Sequence, residues 1–108
     1  MIASGESMID VARELKARGA NQIFMMSAYS LFTKGVEVFD KAYEEGLFTR
    51  VYTTNLSYVP EEALSRPWLH QADCSGYVAK IIYTFYMGKT VAPILEYRSK
   101  ILEDFAKK

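Results

Sequence analysis

The stretch MIDVARELKARGANQIFMM, residues 8–26, decides the fold class. Its first half places Met8, Val11, Ala12 and Leu15 at the i, i+3, i+4, i+7 spacing of one helical face. Ser7 with Asp10 has the pattern of a capping box in which the shorter acid replaces the usual Glu. Lys16 and Arg18 complement the dipole at the far end, where Gly19 is placed to stop the helix. The second half turns into a continuous apolar run, Ile23 to Met26, held between Asn21-Gln22 and Ser27. A run without alternation suits a strand covered on both faces, as in a parallel sheet.

The same alternation continues outward. A helix is predicted over Gly35 to Glu45, with Val36, Phe39, Ala42 and Tyr43 inward and Gly46 as its stop. Arg50 to Thr54 is β-branched and aromatic, which makes it the next strand. Asn55 to Trp68 contains two prolines and several polar residues and reads as a loop with at most one helical turn. Leu69 to Ala72 is a short strand. Val78, Ile81, Ile82 and Phe85 mark a helix from Ser75. Thr90 is placed to cap a last helix with Ile94, Ile101, Leu102 and Phe105 on its apolar side. Helices alternating with buried strands imply a three-layer α/β domain, a mostly parallel sheet with helices on both faces. Its strands are expected at Ile23–Met26, Val51–Thr54 and Leu69–Ala72. Met1-Ile2 reads as the end of a strand, so the 108 residues are expected to be one domain lacking its first strands.

Composition narrows the partners. Lys+Arg and Asp+Glu are both 13, the net charge is zero, and no basic excess exists to meet a phosphate backbone, so nucleic acid is not an expected partner. No run approaches the ~20 apolar residues of a membrane span, and no basic-then-apolar leader opens the chain. The single cysteine, Cys74, fits a reducing compartment, and the whole reads as a soluble cytoplasmic protein. Aromatics at 14%, with eight Tyr, are enough to fill a core or to present rings to a partner chain.

Chemistry concentrates in the first loop. Ser4-Gly5-Glu6-Ser7 opens a helix, where two hydroxyls, a glycine and free N–H groups can converge on a phosphate. Serine is equally a routine N-cap, and a carboxylate at Glu6 would repel an anion. His70 stands in a strand without a second ligand, and a hydrogen-bonded structural role suits it better than a catalytic one. Cys74 has no base beside it in sequence and reads as a small buried thiol. Met25-Met26 reads as core. Tyr29 to Thr33 follows a buried strand and sits where a parallel sheet lines its sites, although two packed rings account for it as well.

Taken together, these segments resemble the ribose-phosphate pyrophosphokinase (phosphoribosyl pyrophosphate synthetase) family. Met1 to Met8, reading Met-Ile-Ala-Ser-Gly-Glu-Ser-Met, is similar to the ribose-5-phosphate loop, which in the family reads Asp-Asp-Met-Ile-Asp-Thr-(Ala/Gly)-Gly-Thr. Ser27–Thr33 is similar to the family's Ala-Thr-His-Gly-Leu-Phe-Ser, and Val51–Leu56 to its Val-Thr-(Asn/Asp)-Thr-Ile. Asp73–Ile82 is similar to the start of its final helix. The order is kept over nearly the whole chain, with Lys89–Lys108 extending past the usual ending.

The resemblance implies the C-terminal part of a phosphoribosyltransferase-like domain in a transferase of nucleotide biosynthesis. In that family ATP donates its β,γ-diphosphoryl group to the C1 hydroxyl of ribose 5-phosphate, with magnesium, and subunits form oligomers. Carried over residue by residue, Ala3, Ser4, Gly5, Glu6 and Ser7 occupy the five loop positions that bind the sugar phosphate. Ala3 stands in place of an aspartate, Glu6 in place of a glycine, and Tyr29-Ser30 in place of a His-Gly pair. The family's paired aspartates and nucleotide-binding residues fall outside the aligned segment. The expectation is therefore a chain that supplies the ribose-5-phosphate loop, pairs with the upstream half of the same enzyme, and is inactive alone. It is expected to hold neither ATP nor magnesium by itself and to form a homo-oligomer. The alternative is a non-catalytic regulatory or assembly module of the same family.

Overall fold

A computed structural model describes all 108 residues. They fall into two compact units, Met1–Cys74 and Ser75–Lys108.

The first unit carries the sheet. Helix α1 (Glu6–Ala17) is followed by β1 (Phe24–Ser27), α2 (Glu37–Glu44), β2 (Arg50–Thr54), the single turn α3 (Glu61–Leu64) and β3 (Leu69–Ala72). The three strands are parallel in the order β1-β2-β3, with Met26 beside Tyr52 and Tyr52 beside His70. The α/β class and parallel sheet read from the sequence are thus present. β2 and β3 have the bounds read along the chain, Arg50–Thr54 and Leu69–Ala72, and β1 is shifted by one residue from the expected Ile23–Met26.

Helix α1 differs from its sequence reading at the start. Gly5, not Ser7, is the N-cap, and no side chain caps the helix. Ser7 and Asp10 lie inside the helix, so the capping box does not form. The far end follows expectation: the Gly19 N–H donates to the Lys16 carbonyl and the Ala20 N–H to that of Leu15, both at 3.0 Å. That is a Schellman ending with Gly19 at φ +93°. α2 closes at Gly46 in the same way, the Gly46 N–H donating to the Tyr43 carbonyl and the Leu47 N–H to that of Ala42.

The core lies on one face of the sheet. Met25 and Val51 meet Ile9 and Ala12 of α1 and Phe39 and Ala42 of α2 in a single buried cluster. Its centre is aromatic. The Phe39 and Trp68 rings stack at 5.3 Å, and Phe32 packs edge-on against Phe39 at 5.2 Å. The other sheet face is open: Phe24 is 51% and Met26 77% exposed, and His70 and Ala72 are exposed beside them. Within α1 the covered positions are Ile9 and Ala12, whereas Val11 and Leu15, predicted inward, are exposed. Met26, predicted as core, is likewise outside, and Tyr43 of α2 is exposed rather than inward.

A polar network fastens the core at its rim. The Trp68 indole N–H donates to Asp40 Oδ1 at 2.7 Å, and Arg66 Nε donates to Asp40 Oδ2 at 2.9 Å. Removing the carboxylate leaves a buried indole N–H and a half-buried guanidinium without their acceptor, which costs about 1–3 kcal/mol. Asp40→Ala is therefore expected to lower the unfolding free energy by that amount, seen as a lower urea midpoint with an unchanged slope. A midpoint within error of the parent would remove the network from the stability of this unit.

The second unit contains α4 (Ser75–Tyr86), α5 (Ala92–Leu95) and α6 (Arg98–Ala106). The sequence reading had one last helix; it is broken at Glu96–Tyr97, where Glu96 leaves helical geometry at ψ 88° and its carboxylate accepts the Arg98 N–H at 3.0 Å. Tyr77 and Tyr97 pack edge-on at 5.5 Å. Ile101, Leu102 and Phe105 of α6 are exposed. No helix is long and apolar enough to cross a membrane.

Candidate functional site

The loop Ala3–Ser7 is positioned by backbone pairing on one side and by the core on the other. Ile2 forms a parallel bridge with Ser30. The Ile2 N–H donates to the Tyr29 carbonyl at 2.8 Å, the Leu31 N–H to Ile2 at 2.8 Å, and the Thr33 N–H to Ala3 at 2.9 Å. These bonds tie the loop to the segment that leaves the carboxyl end of β1, the end where open α/β sheets bind ligands. Ile2 itself is buried in the core.

From there the chain turns through Gly5, at φ +84° and ψ −7°, into the first turn of α1. Ala3, Ser4, Gly5 and Ser7 line a cavity of about 160 Å³ with Met1, Ile2 and Met8. Four of the five positions singled out from the sequence therefore share one small concavity. Glu6 is turned elsewhere. Lys34 Nζ donates to both its carboxylate oxygens at 3.1 Å, and Ser4 Oγ lies 3.5 Å from Oε2. The Glu6 charge, read from the sequence as repelling an anion, is paired with a cation. Both side chains are more than half exposed, so their attraction is screened and contributes about 0–1 kcal/mol.

Lys34 is the residue that sequence reasoning missed. It follows Tyr29–Thr33 directly and stands 28 positions from Glu6, so only the Ile2–Ser30 pairing brings the two together. Its signal was its place: a cation in the loop after a buried parallel strand.

The remaining candidates lie outside this cavity. Ser30 is fully buried, its hydroxyl without a hydrogen-bond partner, and Phe32 is a core residue at φ +48°. Tyr29 is exposed. His70 is exposed on the open sheet face, its ring 5.5 Å from that of Tyr52. Cys74 is half-buried ahead of α4, and its N–H donates to Asn55 Oδ1 at 2.8 Å. No three His, Cys, Asp or Glu side chains are grouped so that they could hold a metal ion.

Scanned against known protein families the chain matches no family model, and a search of curated proteins finds none significantly similar to it.

Proposed function

We propose that this chain supplies the ribose-5-phosphate loop of a ribose-phosphate diphosphokinase and makes no phosphoribosyl pyrophosphate alone. The observation that carries the reading is the cavity at Ala3–Ser7, formed where a parallel bridge ends, a left-handed glycine turns the chain, and helix α1 begins. Unpaired N–H groups and the positive end of the dipole make such a terminus a receptor for anions. The Ser4 and Ser7 hydroxyls would donate to the 5-phosphate. Lys34, released from Glu6, would add a cation.

Phosphoryl transfer further requires a nucleotide, magnesium and positioned cations. In this reading the chain itself supplies neither the nucleotide site nor the metal ligands. Its contribution is confined to binding and orienting the sugar phosphate, with the donor half supplied by another polypeptide segment. The strand order β1-β2-β3, with Ile2 paired to Ser30 in the segment that leaves β1, suits one half of a phosphoribosyltransferase-like sheet, and a second helical layer would then cover the open face. A second reading, a non-catalytic module of the same family, is favoured by the Glu6 carboxylate standing where the family loop has glycine.

Titration with ribose 5-phosphate, followed by backbone amide shifts, tests the site. Shifts are expected at Ser4 to Met8 and at Lys34. Glu6→Gly is expected to tighten binding. Ser7→Ala is expected to weaken it at least tenfold, since a hydrogen bond to a charged group contributes about 1.5–3 kcal/mol. Shifts centred elsewhere, or none in Glu6→Gly, would remove the sugar-phosphate reading. Turnover of ATP and ribose 5-phosphate by the purified chain would instead refute its inactivity alone.

A further inference from the structure

We propose, on the reading that Ala3–Ser7 takes a sugar phosphate, that Tyr29–Lys34 is a switch segment which that anion moves. Two local costs fall within it. Ser30 is 0% exposed and its hydroxyl has no hydrogen-bond partner. A buried hydroxyl left unmatched is unfavourable, and folded proteins keep few of them. Two residues on, Phe32 is the only non-glycine residue at positive φ, +48°. That is the left-handed region, where a side chain is disfavoured and where retained strain clusters at ligand clamps and switches.

Three sets of contacts hold the segment in this conformation. The Phe32 ring is locked edge-on against Phe39 at 5.2 Å and Trp68 at 5.8 Å. The Leu31 and Thr33 N–H groups donate to the Ile2 and Ala3 carbonyls. Lys34 Nζ donates to both Glu6 carboxylate oxygens at 3.1 Å. The ring contact belongs to the packed core and serves as a fixed pivot. The backbone bonds run into the loop that receives the phosphate. The ion pair is exposed and weak, and a phosphate carries more charge than the carboxylate it competes with. Transfer of Lys34 to the phosphate carries the backbone ahead of it, releases Phe32 from positive φ and brings the Ser30 hydroxyl an acceptor. These are the differential contacts that a ligand needs in order to shift a conformational equilibrium.

Thr53 provides the comparison within the same molecule. It is 2% exposed and its hydroxyl also lacks a partner, but it lies inside β2, which is paired on both sides. The unmatched hydroxyl there is a plain cost of packing, with no movable segment around it.

Ser30→Ala and Thr53→Val separate the two cases. Each deletes an unmatched buried hydroxyl, so each is expected to raise the urea midpoint. Only Ser30→Ala is expected to weaken ribose 5-phosphate binding, by about threefold or more, the effect of one hydrogen bond. In the parent chain the backbone carbon shifts of Phe32, which report its φ and ψ, are expected to change on saturation with ribose 5-phosphate. Amide shifts at Ser4–Met8 with Phe32 unmoved would overturn the switch and leave the loop as a binding site. Equal affinities in Ser30→Ala and Thr53→Val would do the same. A lowered midpoint in Ser30→Ala also refutes it, because the hydroxyl then has a partner. If ribose 5-phosphate shifts nothing at Ser4–Met8, the sugar-phosphate reading itself falls, and the switch with it.

Discussion

Replacing Trp68 with alanine is expected to cost about 3–5 kcal/mol, the range for removing a large aromatic from a packed core. The indole is 1% exposed, stacks on Phe39 at 5.3 Å and meets Phe48 edge-on at 6.0 Å. Its loss empties the middle of the aromatic cluster and strips Asp40 of a donor at 2.7 Å. A domain of this size has about 5–15 kcal/mol in all, so the variant is expected to lose between a fifth and all of its stability. Trp68→Phe keeps a ring and loses the indole N–H, and is expected to fall between the two. Urea titration followed by far-UV circular dichroism is the measurement. Trp68 is the only tryptophan, so its own fluorescence cannot report on its absence. A loss below 1 kcal/mol in Trp68→Ala would show that the cluster is not what holds this unit.

Trp68 also shows where sequence reading stops. It follows Pro67, outside every periodic segment, and the sequence places it at the end of a loop. Leu47, Phe48 and Val59 are core residues outside helices and strands too. Periodicity finds the elements because their burial repeats along the chain, but connecting segments have no period. Their apolar residues become visible only once the elements are packed. Strand β2 is legible for the converse reason, because a short β-branched and aromatic run has few alternatives, whereas β3 is bounded by the proline-containing loop before it and the helix after it. The β1 shift is local. Ile23 is buried although it precedes the strand, with its carbonyl accepting the Thr49 N–H at 2.7 Å.

Helix α1 divides the legible from the illegible within one element. Its apolar character and its end at Gly19 follow from local chemistry and were read correctly. Which apolar stripe is covered depends on a partner. Ile9 and Ala12 meet the core cluster, whereas Val11 and Leu15 face an open groove. The candidate site divides in the same way. Ser4, Gly5 and Ser7 are contiguous, so the sequence brings them together at the helix start. Lys34 reaches Glu6 only through the pairing of Ile2 with Ser30, a contact that no local pattern announces.

Gly5→Ala is the second large effect expected, because two independent penalties meet at that position. The backbone is at φ +84°, in the left-handed region where a Cβ costs roughly 1–2 kcal/mol. A Cβ there would also overlap the ring of Phe39, which is 0% exposed and boxed in by Phe32, Phe48 and Trp68. Overpacking of this kind costs about 1–3 kcal/mol more. Gly19→Ala supplies the comparison: its φ is +93° but nothing lies within 4 Å of the added Cβ, so only the backbone penalty applies. The difference between the two urea midpoints measures the Phe39 contact. Phe39→Leu in the Gly5→Ala background is expected to lose less than the sum of the single losses, as touching residues do. Equal losses in Gly5→Ala and Gly19→Ala would mean that the ring yields freely and the loop is not fixed by the core. If the losses differ as expected, the core alone accounts for a glycine at this position. The case for an anion at Ala3–Ser7 then rests on Ser4, Ser7 and Lys34, and binding should weaken at least tenfold in Ser7→Ala while its stability stays that of the parent.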